Sequence, residues 1–532
     1  MSRVWVDSLE GRTLLATPTD GVTAKLFNEM NFTGSAVTAN WKSPAAVFGT
    51  AAPVPGIDAG TYSVRWTGKL RAPTSENFRF YATVDGGMRL WIGRRLVIDS
   101  WSTLDSTRTI KADVALKQGK RYDITLEYRH NTGSASMQLR WQTATRSKET
   151  INRKWFTPDL TDPVGQQVDH ALAFARDQLS RTIAGATVGA YPLRITSNAW
   201  ETVASTDWTS GYTAGALWQI EYALGGTAQS ATVWSQNLVS EKGQPGDHFG
   251  RLWPSIKALY DRTGSATLKQ ALLDAAAAKN ANWSDKIGAW KTPELGTSSL
   301  NSQGDFGVLM DQTMDLELMW WAGVQKNDAT LKSRVIKHAQ TVIAKMQRTD
   351  GSVVQRAYFN SVSGNLITQE NYQGYSNSST WSRAQAWAVY AFSTLASLTG
   401  DAAILAAAKK AAGYFYTHLP SDHVPYWDFA LPSTTGQPRD SSAAAIAATG
   451  LYRLSTLTSD ATYRTQADTI LSSLVSSAYL ADSLDPALAS PTTKGILLHG
   501  SQNVPKSKGV DTSLMFGDYY LLQAINAREG RV

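Results

Sequence analysis

The chain has 532 residues, 42% hydrophobic and 18% charged, with a net charge of +7 and no cysteine. That length predicts at least two domains. The missing cysteine excludes disulfides, thiol nucleophiles and zinc–thiolate sites, and no run approaches the roughly 18 apolar residues of a membrane span. The excess of positive charge is not gathered into a basic tract, which argues against a nucleic-acid partner.

In chain order, residues 1–20 do not read as the start of a folded domain. They contain Leu9-Glu10-Gly11-Arg12-Thr13-Leu14-Leu15 and lack the apolar stretch of a standard signal peptide. The segment resembles an L-E-x-R-x-L-L element found near the N-terminus of exported bacterial proteins, which implies export.

Residues 21–148 carry short alternating runs: Tyr62–Trp66, Phe78–Tyr81, Met88–Ile92, Tyr122–Tyr128 and Met137–Trp141. Gly, Asn, Asp and Pro separate them, as in antiparallel strands of a sandwich. The blocks AKLFNEMNFTG, YSVRWTGKLRAP, FRFYATVDGGMRLWIGRRLVIDSW, LKQGKRYDITLEY and MQLRW together resemble a PA14 domain. Some members of that family bind glycans through calcium held by adjacent aspartates. The corresponding run is Asp85-Gly86-Gly87, with one carboxylate, whereas calcium takes about six to eight oxygens. The reading is a spacer or a module that docks on a glycan or surface.

Residues 149–168 are polar and hold Pro158 and Pro163, so a linker is expected. From 169 to the C-terminus the apolar period becomes helical. It is carried by stretches such as ALWQIEYAL (216–224), LWPSIKALYDRTG (252–264), RAQAWAVYAFSTLASLTGD (383–401) and SAAAIAATGLYRLSTLT (442–458). About a dozen alanine-rich helices at hairpin spacing predict an (α/α)-type toroid. The 19 Trp and 20 Tyr suit a carbohydrate ligand as well as a core.

Asp311 and Asp315 sit four apart among Met310, Met314 and Leu318, which puts both on one helix face. The segments QGYSNSSTWSRAQAW (373–387), VPYWDF (424–429), ILLHG (496–500) and GVDTSLMFGDYY (509–520) resemble, in order and composition, glycoside hydrolase family 88, the unsaturated glucuronyl hydrolases. The resemblance runs from about Trp208 to the C-terminus. The related unsaturated rhamnogalacturonyl hydrolases match less well.

The resemblance implies an (α/α)6 toroid. It also implies a glycosidase acting on oligosaccharides with a terminal 4,5-unsaturated uronate, with no metal or organic cofactor. Asp311 then falls on the catalytic acid and base, and Asp315 is structural. Ser501 and Lys508 fall where the family contacts the uronate carboxylate. Arg383 is either a further contact or a brace. Trp208, Trp381 and Trp387 would stack on sugar rings, and Gln373 and Gln355 would line the cleft, Gln355 where the family commonly has His. The family's second carboxylate lies in a His-Asp-x-Gly-Phe run; here it reads Asp247-His248-Phe249-Gly250-Arg251. Alignment on Gly250 favours His248 in the acid's place over Asp247, the alternative being that the pair caps the helix from Phe249. Another enzyme on the same toroid, such as a lyase or a saturated uronidase, and a glycan-binding protein without activity stay open as readings.

Overall fold

The computed structural model describes residues 21–531 apart from 34–35, 94, 105–106, 159–162, 245 and 482–494. The export-type segment 1–20 lies outside the described residues. The chain divides into two compact units near residue 173.

The first unit is an all-β sandwich. One sheet orders β2 (Val37–Trp41), β1 (Val22–Phe27), β4 (Tyr62–Arg71), β9 (Arg121–His130), β6 (Gly87–Ile92) and β7 (Arg95–Ser100), with β12 (Phe156–Pro158) also on β4. The other orders β11 (Glu149–Thr150), β10 (Ala135–Gln142), β5 (Glu76–Val84) and β8 (Arg108–Leu116), with β3 (Ala46–Gly49) on β10. Alternation along β10 sends Met137, Leu139 and Trp141 inward, onto Phe78, Phe80, Val64 and Leu126. All five expected strands are present. The expected linker needs correction, because β11 and β12 pair into the two sheets. Ile151 and Phe156 are buried in the sandwich core, and that apolar burial outweighs the polar composition around them. Asp85 is spoken for: its Oδ1 accepts a 2.7 Å hydrogen bond from the Tyr128 hydroxyl.

The second unit is helical: α1 (Pro163–Ala184), whose residues up to Ala173 fall in the first unit, α2 (Tyr212–Ala223), α3 (Ala228–Gln236), α4 (His248–Arg251), α5 (Ala258–Thr263), α6 (Ala266–Asn280), α7 (Leu316–Gln325), α8 (Ala329–Met346), α9 (Ser382–Thr399), α10 (Ala402–Thr417), α11 (Ser441–Thr458), α12 (Ala461–Leu474) and α13 (Met515–Arg528). An inner ring runs α2, the α4–α5 segment, α7, α9, α11 and α13, and α13 returns to α2. Helices α3, α6, α8, α10 and α12 lie between successive inner members in the chain. This is the expected (α/α)6 toroid.

Composition separates the two layers. Residues Ser382–Ala396 of α9 are buried on every side, as is most of α11 and α13. Alanine and glycine there let the backbones approach closely. A Cβ on Gly450 of α11 would sit 2.9 Å from Tyr390 N and Cα of α9. Outer helices have an apolar stripe and a solvent face, and four carry a side-chain N-cap: Ser265, Asp328, Asp401 and Asp460. Between α4 and α5 the helix expected over 252–264 widens into a π turn at Trp253–Lys257. Pro254 lies in it, and a proline supplies no N–H to the helical ladder.

A buried ion pair pins this part of the ring. Lys279 of α6 and Asp315, just before α7, are 1% and 0% exposed in their side chains and 2.9 Å apart. Asp315 Oδ1 also accepts from the Phe249 N–H at 2.7 Å, so the pair anchors α4. Burial alone would raise the Asp315 pKa, but the Lys279 ammonium, His248 and the Phe249 N–H hold it below the usual carboxylate range.

Two stability predictions follow from this packing. Gly450→Ala pushes α11 off the α9 backbone and lowers the helical unit's unfolding free energy by about 1–3 kcal/mol, the usual cost of overpacking, seen as a lower urea midpoint at unchanged m. Lys279→Met leaves Asp315 buried without its cation and costs about 3–5 kcal/mol in the same measurement; equal stability of variant and parent would show that the pair is not holding the ring.

Candidate active site

The residues that precede or open the inner helices come together at one end of the ring. Strand Phe306–Leu309 pairs with Arg356–Phe359, and the Met310 N–H donates to the Gln355 carbonyl at 2.9 Å. This register places Asp311, the first residue of a 3-10 turn into α7, beside Gln355 and Arg356.

Asp311 sits in a poorly hydrated spot. Its Oδ2 is buried without a hydrogen-bond partner. Burial pushes its pKa up to about 6, against the opposing pull of Arg383, Arg356 and the Gln355 amide. A carboxyl in that range is protonated often enough near neutrality to deliver a proton, and is a competent base afterwards.

A chain of amides frames it. Gln355 Nε2 donates to Gln373 Oε1 at 2.6 Å, and the Gln373 N–H donates back to Gln355 Oε1 at 3.0 Å. Gln373 Nε2 continues to the Gln502 carbonyl at 2.8 Å. Arg383 closes the frame from α9. Its guanidinium pairs with Asp440 at 2.7 Å, donates to the Ser501 and Gln502 carbonyls and lies over the Trp381 and Phe516 rings. Of the two readings of Arg383, the geometry supports the brace, while its charge still reaches Asp311.

Three expectations need correction. Trp381 and Trp387 are 1% and 0% exposed, so neither offers a ring face to a sugar; the Arg383 guanidinium covers Trp381, and Phe249 and Tyr520 pack on Trp387. Trp208 alone of the three is half-buried, edged by Tyr212, Phe249 and Phe516. The Ser501 hydroxyl is occupied within its own loop, donating to the Arg439 carbonyl at 2.7 Å and accepting from the Asp511 N–H. Lys508 is exposed on a turn closed by its backbone bonds to Asn503, a placement that does not contradict the expected contact with a uronate carboxylate.

The geometry also reverses the preference within the Asp247–His248 pair. His248 is fully buried, and neither ring nitrogen has a hydrogen-bond partner. Burial pushes its pKa down to about 4, so it is neutral at working pH. Asp247 is partly exposed and left-handed, with φ of 56°, a conformation rare and strained for a residue with a side chain. It stands at the N-cap position of α4 without a capping hydrogen bond, because Asp315 takes the Phe249 N–H instead. Its Oδ1 accepts from Gln312 Nε2 at 3.2 Å, next to Asp311 in the chain. Burial first, then the Glu294 carboxylate, raises its pKa, with Arg251 and Gln312 opposing.

Two residues escaped the sequence reading. Arg356 follows Gln355, lies 4.0 Å from the exposed Tyr372 ring and bears on Asp311. Gln312 follows Asp311 and joins it to Asp247. Nothing in their local sequence marks them; only the strand register and the 3-10 turn bring them in.

Comparison with known proteins agrees with both units. The PA14 domain family matches residues 18–155. An unsaturated glucuronyl hydrolase of Formosa agariphila is 31% identical over 338 residues, 62% of this chain and 82% of that protein. An unsaturated chondroitin disaccharide hydrolase of Streptococcus agalactiae is 28% identical over 352 residues, 63% and 85% of the two chains. Among solved structures, an unsaturated glucuronyl hydrolase specific for heparin superposes with a TM-score of 0.64 at 28% identity, covering 70% of this chain and 98% of the other. The enzyme of Bacillus sp. GL1 gives 0.60 at 26%, covering 68% and 96%. With the toroid, the acid at the head of α7 and these relatives in agreement, the chain belongs to the unsaturated glucuronyl hydrolases, glycoside hydrolase family 88, and carries a PA14 domain ahead of its catalytic unit.

Proposed function

We propose that this enzyme releases a terminal 4,5-unsaturated uronic acid from lyase-generated oligosaccharides, with Asp311 as acid and base. The observation that carries this reading is the buried, unpartnered Oδ2 of Asp311, raised to about 6 within a frame of amides and guanidiniums. The C4=C5 bond of such a uronate is an enol ether. Asp311 gives its proton to C4, and the positive charge that develops at C5 is shared with the ring oxygen. The aspartate, now charged, is steadied by Arg383 and Arg356. It takes a proton from water as the water oxygen bonds to C5, which restores the acid. The hemiketal opens, the C1 substituent departs as an alcohol, and one water is consumed overall.

Asp247 is the second carboxylate in this proposal, accepting hydrogen bonds from sugar hydroxyls. Its partial exposure, its held left-handed backbone and its link through Gln312 support the role. The half-buried Trp208 is the ring wall in this reading, and the Arg356–Tyr372 pair is assigned to the uronate carboxylate, which the closeness of the Arg356 charge to Asp311 supports. The relatives named above are described as acting on a chondroitin disaccharide and on heparin; the unsaturated uronate is what such substrates share, so recognition is assigned to that sugar. The L-E-x-R-x-L-L element supports an exported enzyme, and the PA14 domain a docking role.

The test is a panel of lyase-generated oligosaccharides followed by loss of absorbance near 235 nm. Asp311→Asn is expected to fold and to lose about 10²–10⁴-fold in kcat. Because the protonated acid is the active form, kcat/KM of the parent should fall as pH rises past about 6. A folded variant with near-normal turnover, or a rate that keeps rising above that pH, would remove Asp311 from the acid role.

The exchanged pair is separated by two further variants. Asp247→Asn should lower kcat/KM at least tenfold, about 1.4 kcal/mol of transition-state binding. His248→Ala, which empties a buried site, should lower stability and leave no ionisation near pH 6.5 missing from the profile. The opposite pattern would return the role to His248.

A further inference from the structure

Gln312 makes contacts that a wall residue does not need. It is 3% exposed, and its amide lies between one cation and two carboxylates. Lys279 Nζ donates to Gln312 Oε1 at 3.3 Å. An ammonium has donors only, so the amide face turned to Lys279 must be oxygen. That orients the NH2 to the other side, where it meets Asp247 Oδ1 at 3.2 Å and Glu294 Oε2 at 3.0 Å. Two amide hydrogens thus serve two carboxylates, and the amide cannot flip without setting its NH2 against Lys279 and its oxygen against both acids. Lys279 is itself fixed by Asp315.

The same amide presses on the backbone that carries Asp247. A Cβ on Gly246 would lie 2.7 Å from Gln312 Nε2, so only glycine allows this approach. The next residue is the left-handed Asp247, whose carboxylate has no capping bond to hold it. The charged and titratable groups bearing on it are Glu294, Asp315 and Arg251, with the Tyr212 hydroxyl also within electrostatic reach. Among these, Gln312 is the neutral donor that satisfies Asp247 and Glu294 together.

We infer that Gln312 is a positioning residue of the reaction: locked by Lys279, its amide sets the Asp247 carboxylate for the substrate and bridges it to Glu294. The inference rests on the proposed role of Asp247. It makes Glu294 the outer member of an acidic pair at the cleft edge, tied to Asp247 through one amide rather than through a shared proton.

The experiment is a double-mutant cycle on the full chain, assayed with an unsaturated disaccharide from a lyase digest. Gln312→Met keeps the length and removes both hydrogen-bonding functions. Gln312→Glu keeps an oxygen for Lys279 and loses only the donors, so it protects the fold while presenting a third carboxylate. Both should lower kcat at least tenfold with KM changed less than threefold, Gln312→Glu more than Gln312→Met. In an Asp247→Asn background, Gln312→Met should cost less than a further twofold, since residues acting through one another are not additive. A full tenfold loss in that background, or near-normal kcat in Gln312→Glu, overturns the inference. So does failure of both variants to fold, which would make the residue purely structural. If the parent enzyme turns over no unsaturated uronide at all, the proposed function fails first, and the two failures are thereby told apart.

Discussion

The six inner helices of the toroid point the same way, and the rest of the site depends on that constraint. Each is separated from the next in the chain by an outer segment that returns antiparallel, so the inner N-termini gather at one end. Trp208 precedes α2, Asp247 precedes α4, Asp311 leads into α7, Arg383 lies in the first turn of α9, Asp440 precedes α11 and Ser501 lies on the loop before α13. Helix N-termini carry unpaired N–H groups and a partial positive charge. None of α2, α4, α7, α9, α11 or α13 has its first turn satisfied by an N-cap side chain. Outer helices α6, α8, α10 and α12, by contrast, have first-turn N–H groups met by Ser or Asp caps. The ring end is therefore biased toward an anionic sugar before any single side chain is considered.

Buried ion pairs turn that arrangement into a fixed geometry. Lys279 and Asp315 hold α4 through the Phe249 N–H; Arg383 and Asp440 join α9 to α11 and grip the carbonyls of the 501–502 loop. Pairs of this kind add little net stability compared with apolar packing, but they punish any rearrangement that separates the charges. Here they place Asp311 and Asp247 on backbones that cannot slide, while the acids themselves stay short of full compensation.

Much of this was legible in the sequence, for identifiable reasons. Strand alternation in 78–81 and 137–141 and the small-residue helices at 383–401 and 442–458 are local signals, and tertiary packing reinforces them. The spacing of Asp311 and Asp315 marked a carboxylate among apolar side chains. What it could not tell is that one faces the cleft and the other an ammonium on α6, since Lys279 is 36 positions earlier in the sequence. The choice between Asp247 and His248 turned on which of two neighbouring side chains is buried, and adjacent polar residues at a helix start give no sign of that. Trp381 and Trp387 misled because an aromatic rich in contacts looks the same in sequence whether it meets a sugar or Tyr520. The linker was misplaced because Ile151 and Phe156 are only two apolar residues among polar ones, yet both are core.

The closure of the ring has a consequence for how the chain is made. Helix α2 is apolar almost all round, and a large part of its cover comes from α13. Gly215 lets the Tyr519 ring come within van der Waals range, and the Asn526 amide donates to the Gln219 carbonyl and side chain at 2.9 and 2.8 Å. These partners are separated by about 300 residues. During synthesis at roughly 5–20 residues per second, α2 therefore waits on the order of a minute or less for the segment that covers it, while the sandwich, whose strands all precede it, already has every partner it needs. The catalytic ring thus closes later than the sandwich, and until α13 is made the apolar face of α2 lacks the partner that covers it.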